Sequence, residues 1–297
     1  KSTLFNAITK KNILAANYPF ATIEPNVGVV IVPDSRLDYL VNLYNPKSII
    51  PTSFEFIDIA GLVSGASKGE GLGNKFLAHI RDVDAIVEVV RCFEDENITH
   101  VEGKTDPIRD IEIINTELVL ADYEIVSNRI DKISKKATTT KDKDAIKELN
   151  VLTKCKEYLE KSIPLRNVIF NTDEIEILKN FNLKTLKKVI YVANVDEITA
   201  SVGDNEYSLE LKEYASNDNA SVVVMSAKLE SELADLNDEE KSVFLEEVGI
   251  TNSGLDKLIF ATYDLLGLAT FFTSGKDECR AWTFKKGMKA PQCAGII

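Results

Sequence analysis

Lys1-Ser2-Thr3, followed by Leu4-Phe5-Asn6, reads as the back half of a phosphate-binding loop. In the full motif a glycine-rich turn ends in Gly-Lys-[Ser/Thr]. Backbone N–H groups cradle the phosphates, the lysine ammonium reaches the β- and γ-phosphates, and the hydroxyl ligates Mg²⁺. Leu4, Phe5, Ala7 and Ile8 give an apolar helical face directly after Ser2, so the pair sits at a helix N-terminus, where anions bind. Such a loop needs an aspartate on a neighbouring strand, near Mg²⁺, and a segment that feels the γ-phosphate. Asp58 and Gly61 fit as Asp-x-x-Gly, the glycine N–H being free to face the γ-phosphate because no side chain blocks close approach. Thr22, in the Pro-flanked segment 17–26, supplies a second hydroxyl for Mg²⁺. Asn194-Val195-Asp196-Glu197 and Ser226-Ala227-Lys228, each after a strand, are the candidate base-reading loops.

These residues need a sheet to position them. Strands are expected at 27–32, 54–58, 85–90, 188–194 and 221–225. Helices are expected after Ser2, around Leu37–Leu43, around Phe76–Ile80, from Asp106-Pro107 onward, and at 230–248 and 254–266. Strand alternating with helix is the parallel α/β pattern, whose ligands bind at the C-terminal strand ends. The glycine-dense run 64–73 is expected to order around a γ-phosphate. Between residues 117 and 187 glycine vanishes, and apolar residues recur among Lys, Asp and Glu. This reads as two antiparallel helices joined by a polar turn over 135–141, the threonine run there being a poor helix former. After Leu268 the texture becomes β-rich.

Composition is that of a globular protein, 44% hydrophobic and 28% charged, with a length for about two domains. No apolar run approaches the ~18 residues a membrane span needs, so no membrane partner is expected. Cys92, Cys155, Cys279 and Cys293 are scattered, which fits reduced cytoplasmic thiols, and His79 and His100 alone cannot build a His-rich metal site. A net charge of −12 excludes the whole surface as a nucleic-acid binder. The stretch 271–297 is locally +3, with Lys276, Arg280, Lys285, Lys286 and Lys289 beside Phe271, Phe272 and Trp282, and is a candidate RNA-facing surface. Lys135, Lys136, Lys141 and Lys143 form a second basic cluster, diluted by Asp142 and Asp144.

The order and wording of these segments closely resemble the YchF-type Obg-like ATPases, a branch of the Obg GTPase group. The resemblance rests on 1–7, 17–28, 58–73, 93–112, Arg280-Ala281-Trp282-Thr283 and Ala290-Pro291-Gln292. It implies an α/β P-loop nucleotide-binding domain over 1–116 and 188–267, an inserted coiled-coil-like helical hairpin over 117–187, and the start of a β-rich TGS domain over 268–297. With no initiator Met and an end in mid-pattern, the chain reads as a segment cut at both ends. On that reading it should bind ATP far more weakly than its full-length parent.

The resemblance implies a monomeric cytoplasmic ATPase, with ATP and the large ribosomal subunit or its RNA as partners. Lys1 and Gly61 are the expected catalytic residues. Lys1, Ser2, Thr3, Asn194, Val195, Glu197, Ser226 and Ala227 are expected to bind nucleotide, and Ser2, Thr22 and Asp58 to hold Mg²⁺. K⁺ is a second candidate cation, whose ligand would sit in the front of the phosphate loop. Two positions depart from ordinary GTPases. Leu62 stands where many place a water-orienting Gln, so intrinsic turnover should be low. A guanine-reading loop is Asn-Lys-x-Asp, its aspartate accepting from N1–H and N2–H₂. Here Val195 replaces the lysine and Glu197 the aspartate, which removes the guanine lock. An Obg-type GTPase and a non-catalytic nucleotide-dependent adaptor remain the alternatives.

Overall fold

The computed structural model describes residues 1–13, 26–59, 72–95 and 104–297. Helix α1 (Ser2–Ile13) buries Leu4, Ala7 and Ile8. Leu4 and Ile8 pack with Val30 and Val32, on and just after strand β1 (Val27–Ile31). The approach is close enough that a Cβ on Gly28 would lie 3.1 Å from Ile8 Cγ2, so glycine sets the helix–strand distance. After α2 (Ser35–Tyr44), N-capped by Asp34, and the short β2 (Ser48–Ile50), strand β3 (Ser53–Ile57) returns antiparallel to β1, with Val27 opposite Ile57.

Beyond α3 (Leu72–Asp82) comes a second sheet of β4 (Ala85–Arg91), β5 (Lys188–Asn194) and β6 (Ser221–Met225), parallel and in that order. Strand β5 is its middle. Ile190 and Val192 face α1 and α11 (Gly254–Leu265), while Val189, Tyr191 and Ala193 face the other layer. That layer comprises Ile111 of α4 (Pro107–Thr139) and Leu211 and Ala215 of α8 (Glu206–Asn217). A strand covered on both faces reads as an unbroken apolar run, which is why β5 is conspicuous in the sequence. Between β3 and β4 lies a cleft of about 1040 Å³, beside Phe54–Asp58.

Helix α4 runs unbroken through residue 117, so the first arm of the hairpin is continuous with a helix of the α/β domain. It also continues through Thr138 and Thr139, which the threonine run would assign to the turn. The Thr138 hydroxyl bonds back to the Ser134 carbonyl at 2.8 Å, satisfying its polar group without leaving the helix. The turn is tighter than expected, with Lys141 at φ 51° and Asp142 capping α5 (Lys143–Leu159). The two arms and α6 (Thr172–Leu178) share their own core of Val119, Val126, Leu152, Cys155, Leu159 and Leu178.

The expected helix over 230–248 is two helices, α9 (Ala227–Leu233) and α10 (Asp238–Glu247), because Asn237 and Glu240 form a capping box that restarts the chain. Short α7 (Glu197–Val202) lies between β5 and α8. The hairpin of β7 (Leu268–Ser274) and β8 (Glu278–Lys285) pairs with β2 through β8 and buries Cys279 and Ala281 against Leu37; α12 (Ala290–Ala294) follows. All four cysteines are free. Among the described residues no helix is long and apolar enough to cross a membrane.

Candidate nucleotide-binding site

The phosphate end is built where α1 begins and β3 ends. Lys1 stands immediately before α1, and Ser2 and Thr3, exposed, open its first turn. Asp58 follows β3, its N–H donating to the Asn26 carbonyl at 2.8 Å, so the β1–β3 ladder fixes its position. The Lys1 ammonium pairs with Asp58 Oδ1 at 3.1 Å and donates to the Ile59 carbonyl. Residues 57 positions apart in the chain are thereby brought together. A carboxylate and a hydroxyl are hard oxygen donors, the type Mg²⁺ prefers. Mg²⁺ commonly takes only one or two protein carboxylates and completes its shell with water and phosphate oxygens. The lack of any cluster of three His, Cys, Asp or Glu among the described residues is compatible with that mode. Thr22, Gly61 and Leu62 lie outside the described residues. Gly73, at the end of the glycine-dense run, lies in the first turn of α3.

The base end is built where β5 and β6 finish side by side. Val195 N–H donates to the Met225 carbonyl at 2.9 Å, and Ala227 N–H donates to Asn194 Oδ1 at 2.8 Å, which ties the two loops together. Each loop enters a helix through a cap. Asp196 accepts from Thr199 N and Oγ1, both at 2.8 Å, and Ser226 Oγ accepts from Leu229 N at 3.4 Å. The bond from Thr199 N holds the Asp196 carboxyl below its usual range despite partial burial. Behind the second loop, Gly254 is so close to β6 that a Cβ there would lie 2.4 Å from Met225 Cβ, and its N–H donates to the buried Glu230 at 2.6 Å.

Two placements differ from what residue identity suggests. Val195 is buried with Val90, Cys92 and Leu211, so its side chain belongs to the core and only its backbone is left to meet a ligand. Glu197 is paired across the gap with Lys228, which joins the first turns of α7 and α9. The hydrogen bond from Lys228 lowers the Glu197 pKa, and its counterpart raises that of Lys228, so both are charged at neutral pH. Sequence reasoning places Lys228 in the second candidate base-reading loop but gives its side chain no partner. Its position two residues past Ser226, in the turn facing the other loop, is the signal that was available.

A helix start carrying Lys1 and Ser2, an aspartate delivered beside it by β3, and two tied loops at neighbouring parallel strand ends are the layout of a P-loop α/β protein. Comparison with known proteins agrees. Residues 1–129 match the family model described as a 50S ribosome-binding GTPase, and residues 268–297 match a YchF GTPase C-terminal model described as a protein of unknown function. The whole chain is 60% identical to the ribosome-binding ATPase YchF of Bacillus subtilis, spanning 81% of that protein. It is 50% identical to the one from Escherichia coli O157:H7, again spanning 81%. Its fold superposes on the structure of the Schizosaccharomyces pombe YchF GTPase with a TM-score of 0.88 at 41% identity, covering 99% of this chain and 80% of that one. The chain belongs to the YchF family of the Obg-like P-loop proteins.

Proposed function

We propose that this protein hydrolyses ATP to ADP and phosphate with Mg²⁺ and acts as a nucleotide-dependent switch on the ribosome. The observation that carries the reading is the Lys1–Asp58 pair, which sets the ammonium and the carboxylate together at the start of α1. Lys1 stabilises charge on the β- and γ-phosphates, with Ser2 and Thr3 beside it at the helix start. Ser2, Thr22 and Asp58 hold the metal, and the Gly61 N–H senses the γ-phosphate. Mg²⁺, when bound there, would neutralise the charge on the phosphates. With its Oδ1 taken by Ala227 N–H, Asn194 turns its amide N–H₂ to a purine N7, an acceptor in adenine and guanine alike. Choice between the purines then falls to the Glu197 side of the pocket, and Glu197 in place of aspartate supports ATP. The relatives named as ribosome-binding ATPases, and the 50S in the description of the matching family model, support the large subunit as partner. The protein is read as a cytoplasmic monomer.

Single-turnover phosphate release tests the reaction. Asp58→Ala is expected to lower the rate at least a hundredfold, and an unchanged rate would sink the assignment of Asp58. A second reading, GTP as the substrate, is favoured by the likeness to the S. pombe protein, which is named a GTPase. Competition of ATP and GTP for a fluorescent nucleotide separates the two. A tenfold preference for GTP, about 1.4 kcal/mol, would replace the first reading with the second.

A further inference from the structure

We propose that Lys228 is a specificity-determining residue, which pairs with Glu197 across the base pocket and so withholds that carboxylate from guanine. The inference rests on the nucleotide-binding reading above and deepens it. A carboxylate reads guanine by accepting from N1–H and N2–H₂ together, one donor on each oxygen. Glu197 has an oxygen committed to the Lys228 ammonium. The ammonium competes with a guanine donor for that oxygen and turns the carboxylate towards itself; adenine, whose N1 is an acceptor and which lacks the 2-amino group, loses nothing by that pairing. A second observation on the same loops points the same way. Guanine O6 needs a donor, and the backbone N–H that opens α9, that of Ala227, is already given to Asn194 at 2.8 Å. Adenine carries an amino group at that position and makes no demand on an N–H donor.

The pair is exposed, with side-chain accessibility of 70% for Lys228 and 40% for Glu197, so its contribution to folding is small. Its contribution to selectivity is different in kind. Both residues sit in first turns whose entry is fixed by a cap, Asp196 on one side and Ser226 on the other, and the loops are tied by Val195 N–H to the Met225 carbonyl and by Ala227 N–H to the Asn194 side chain. The two side chains therefore start from fixed backbone positions that let them meet, and a ligand that uses the carboxylate competes with the ammonium.

Equilibrium titration of ATP and GTP against the wild type, Lys228→Met, Lys228→Arg and the double variant Lys228→Met/Glu197→Gln tests this. Lys228→Met is expected to narrow the ATP-over-GTP ratio about three- to tenfold by strengthening GTP binding, whereas Lys228→Arg retains the ratio. The gain in GTP affinity should vanish in the double variant, because the released group is the Glu197 carboxylate. Raising the salt should narrow the wild-type ratio and leave that of Lys228→Met flat, since an exposed pair is screened. A ratio within twofold of wild type in Lys228→Met, or a gain that survives Glu197→Gln, overturns the inference and leaves the nucleotide reading intact. A wild type that binds neither nucleotide removes both.

Discussion

Glu88 stands on β4, the strand that borders the cleft, opposite Tyr191 in the parallel register. Burial pushes its carboxyl up to about 8; Arg166 opposes the shift, while Asp218 and Asp110 add to it. The folded protein therefore holds a proton there that the unfolded chain releases near pH 4.5. Stability from this group is full below the unfolded value and is lost as pH rises through about 8. Glu88→Gln should be neutral near pH 4.5 and stabilising on the order of 2–4 kcal/mol above pH 8, read as the difference in melting temperature across a pH series. Parallel curves for the two proteins would show that Glu88 ionises freely. Residue identity alone exposes much of the site and hides part of it. Lys1 and Asp58 were legible because their motifs fix chemistry and position together, and they meet at 3.1 Å. The burial of Val195 was not legible, since whether a loop residue turns inward depends on Leu211 and Cys92 from other elements. Lys228 was hidden for the same reason: its partner is 31 positions away.

Between elements, the long insertion is fastened to the α/β domain by a buried ion pair. Arg166 follows the α5 arm in a 3-10 turn (Leu165–Asn167) and donates from Nη2 to Asp218 Oδ2 at 2.7 Å and to Asn115 Oδ1 of α4 at 2.9 Å. Asp218, at the end of α8, also accepts from the Tyr191 hydroxyl at 2.6 Å and from Asn167 Nδ2 at 2.7 Å. Strand β5, which ends at Asn194, is thereby joined through Tyr191 to the root of the hairpin. Removing one partner strands a buried charge, so Arg166→Met should cost about 3–5 kcal/mol in denaturant unfolding. The double variant Arg166→Met/Asp218→Leu should recover most of that loss. Equal costs for the single and double variants would mean that the packing of Arg166, and not its charge, carries the effect. The strands and the two-arm insertion were legible because burial on both faces, or at helical spacing, writes itself into the apolar pattern. The three residues of β2 carry no such pattern, and their partner β8 lies some 230 positions further on. Helix α7 exposes Ile198 and Val202, so it shows no apolar face to detect. The α9–α10 break did have a sign, the Asn237–Glu240 capping box, within a run otherwise read as one helix.

At the scale of the whole molecule, a chain of net charge −12 has to meet a ribosome whose RNA is a polyanion. Long-range repulsion must be overcome by a local cationic face, and the structure narrows which one is available. In the β7–β8 region Lys286 is paired with Asp264, and Arg280 lies over the Trp282 ring at 3.8 Å. The neighbouring acid Asp277 is neutralised by Lys47 at 2.8 Å. Lys276, Lys285 and Lys289 make no ion pair among the described residues. The aromatic rings there are engaged with one another, Phe271 stacking on Trp282 at 6.4 Å, so this face offers charge more than free stacking surfaces. At the hairpin turn Lys136 is paired with Asp142 at 3.0 Å, and Asp144 adds a further negative charge. The β7–β8 face is thus the stronger candidate for phosphate binding. Reversing Lys276, Lys285 and Lys289 to Glu should weaken co-sedimentation with the large subunit and lower its salt dependence by about one unit of slope for each phosphate no longer engaged. Reversing Lys135, Lys141 and Lys143 is expected to do less. If the hairpin variant loses binding while the β7–β8 variant keeps both its affinity and its salt slope, the ribosome-facing surface lies at the tip of the insertion.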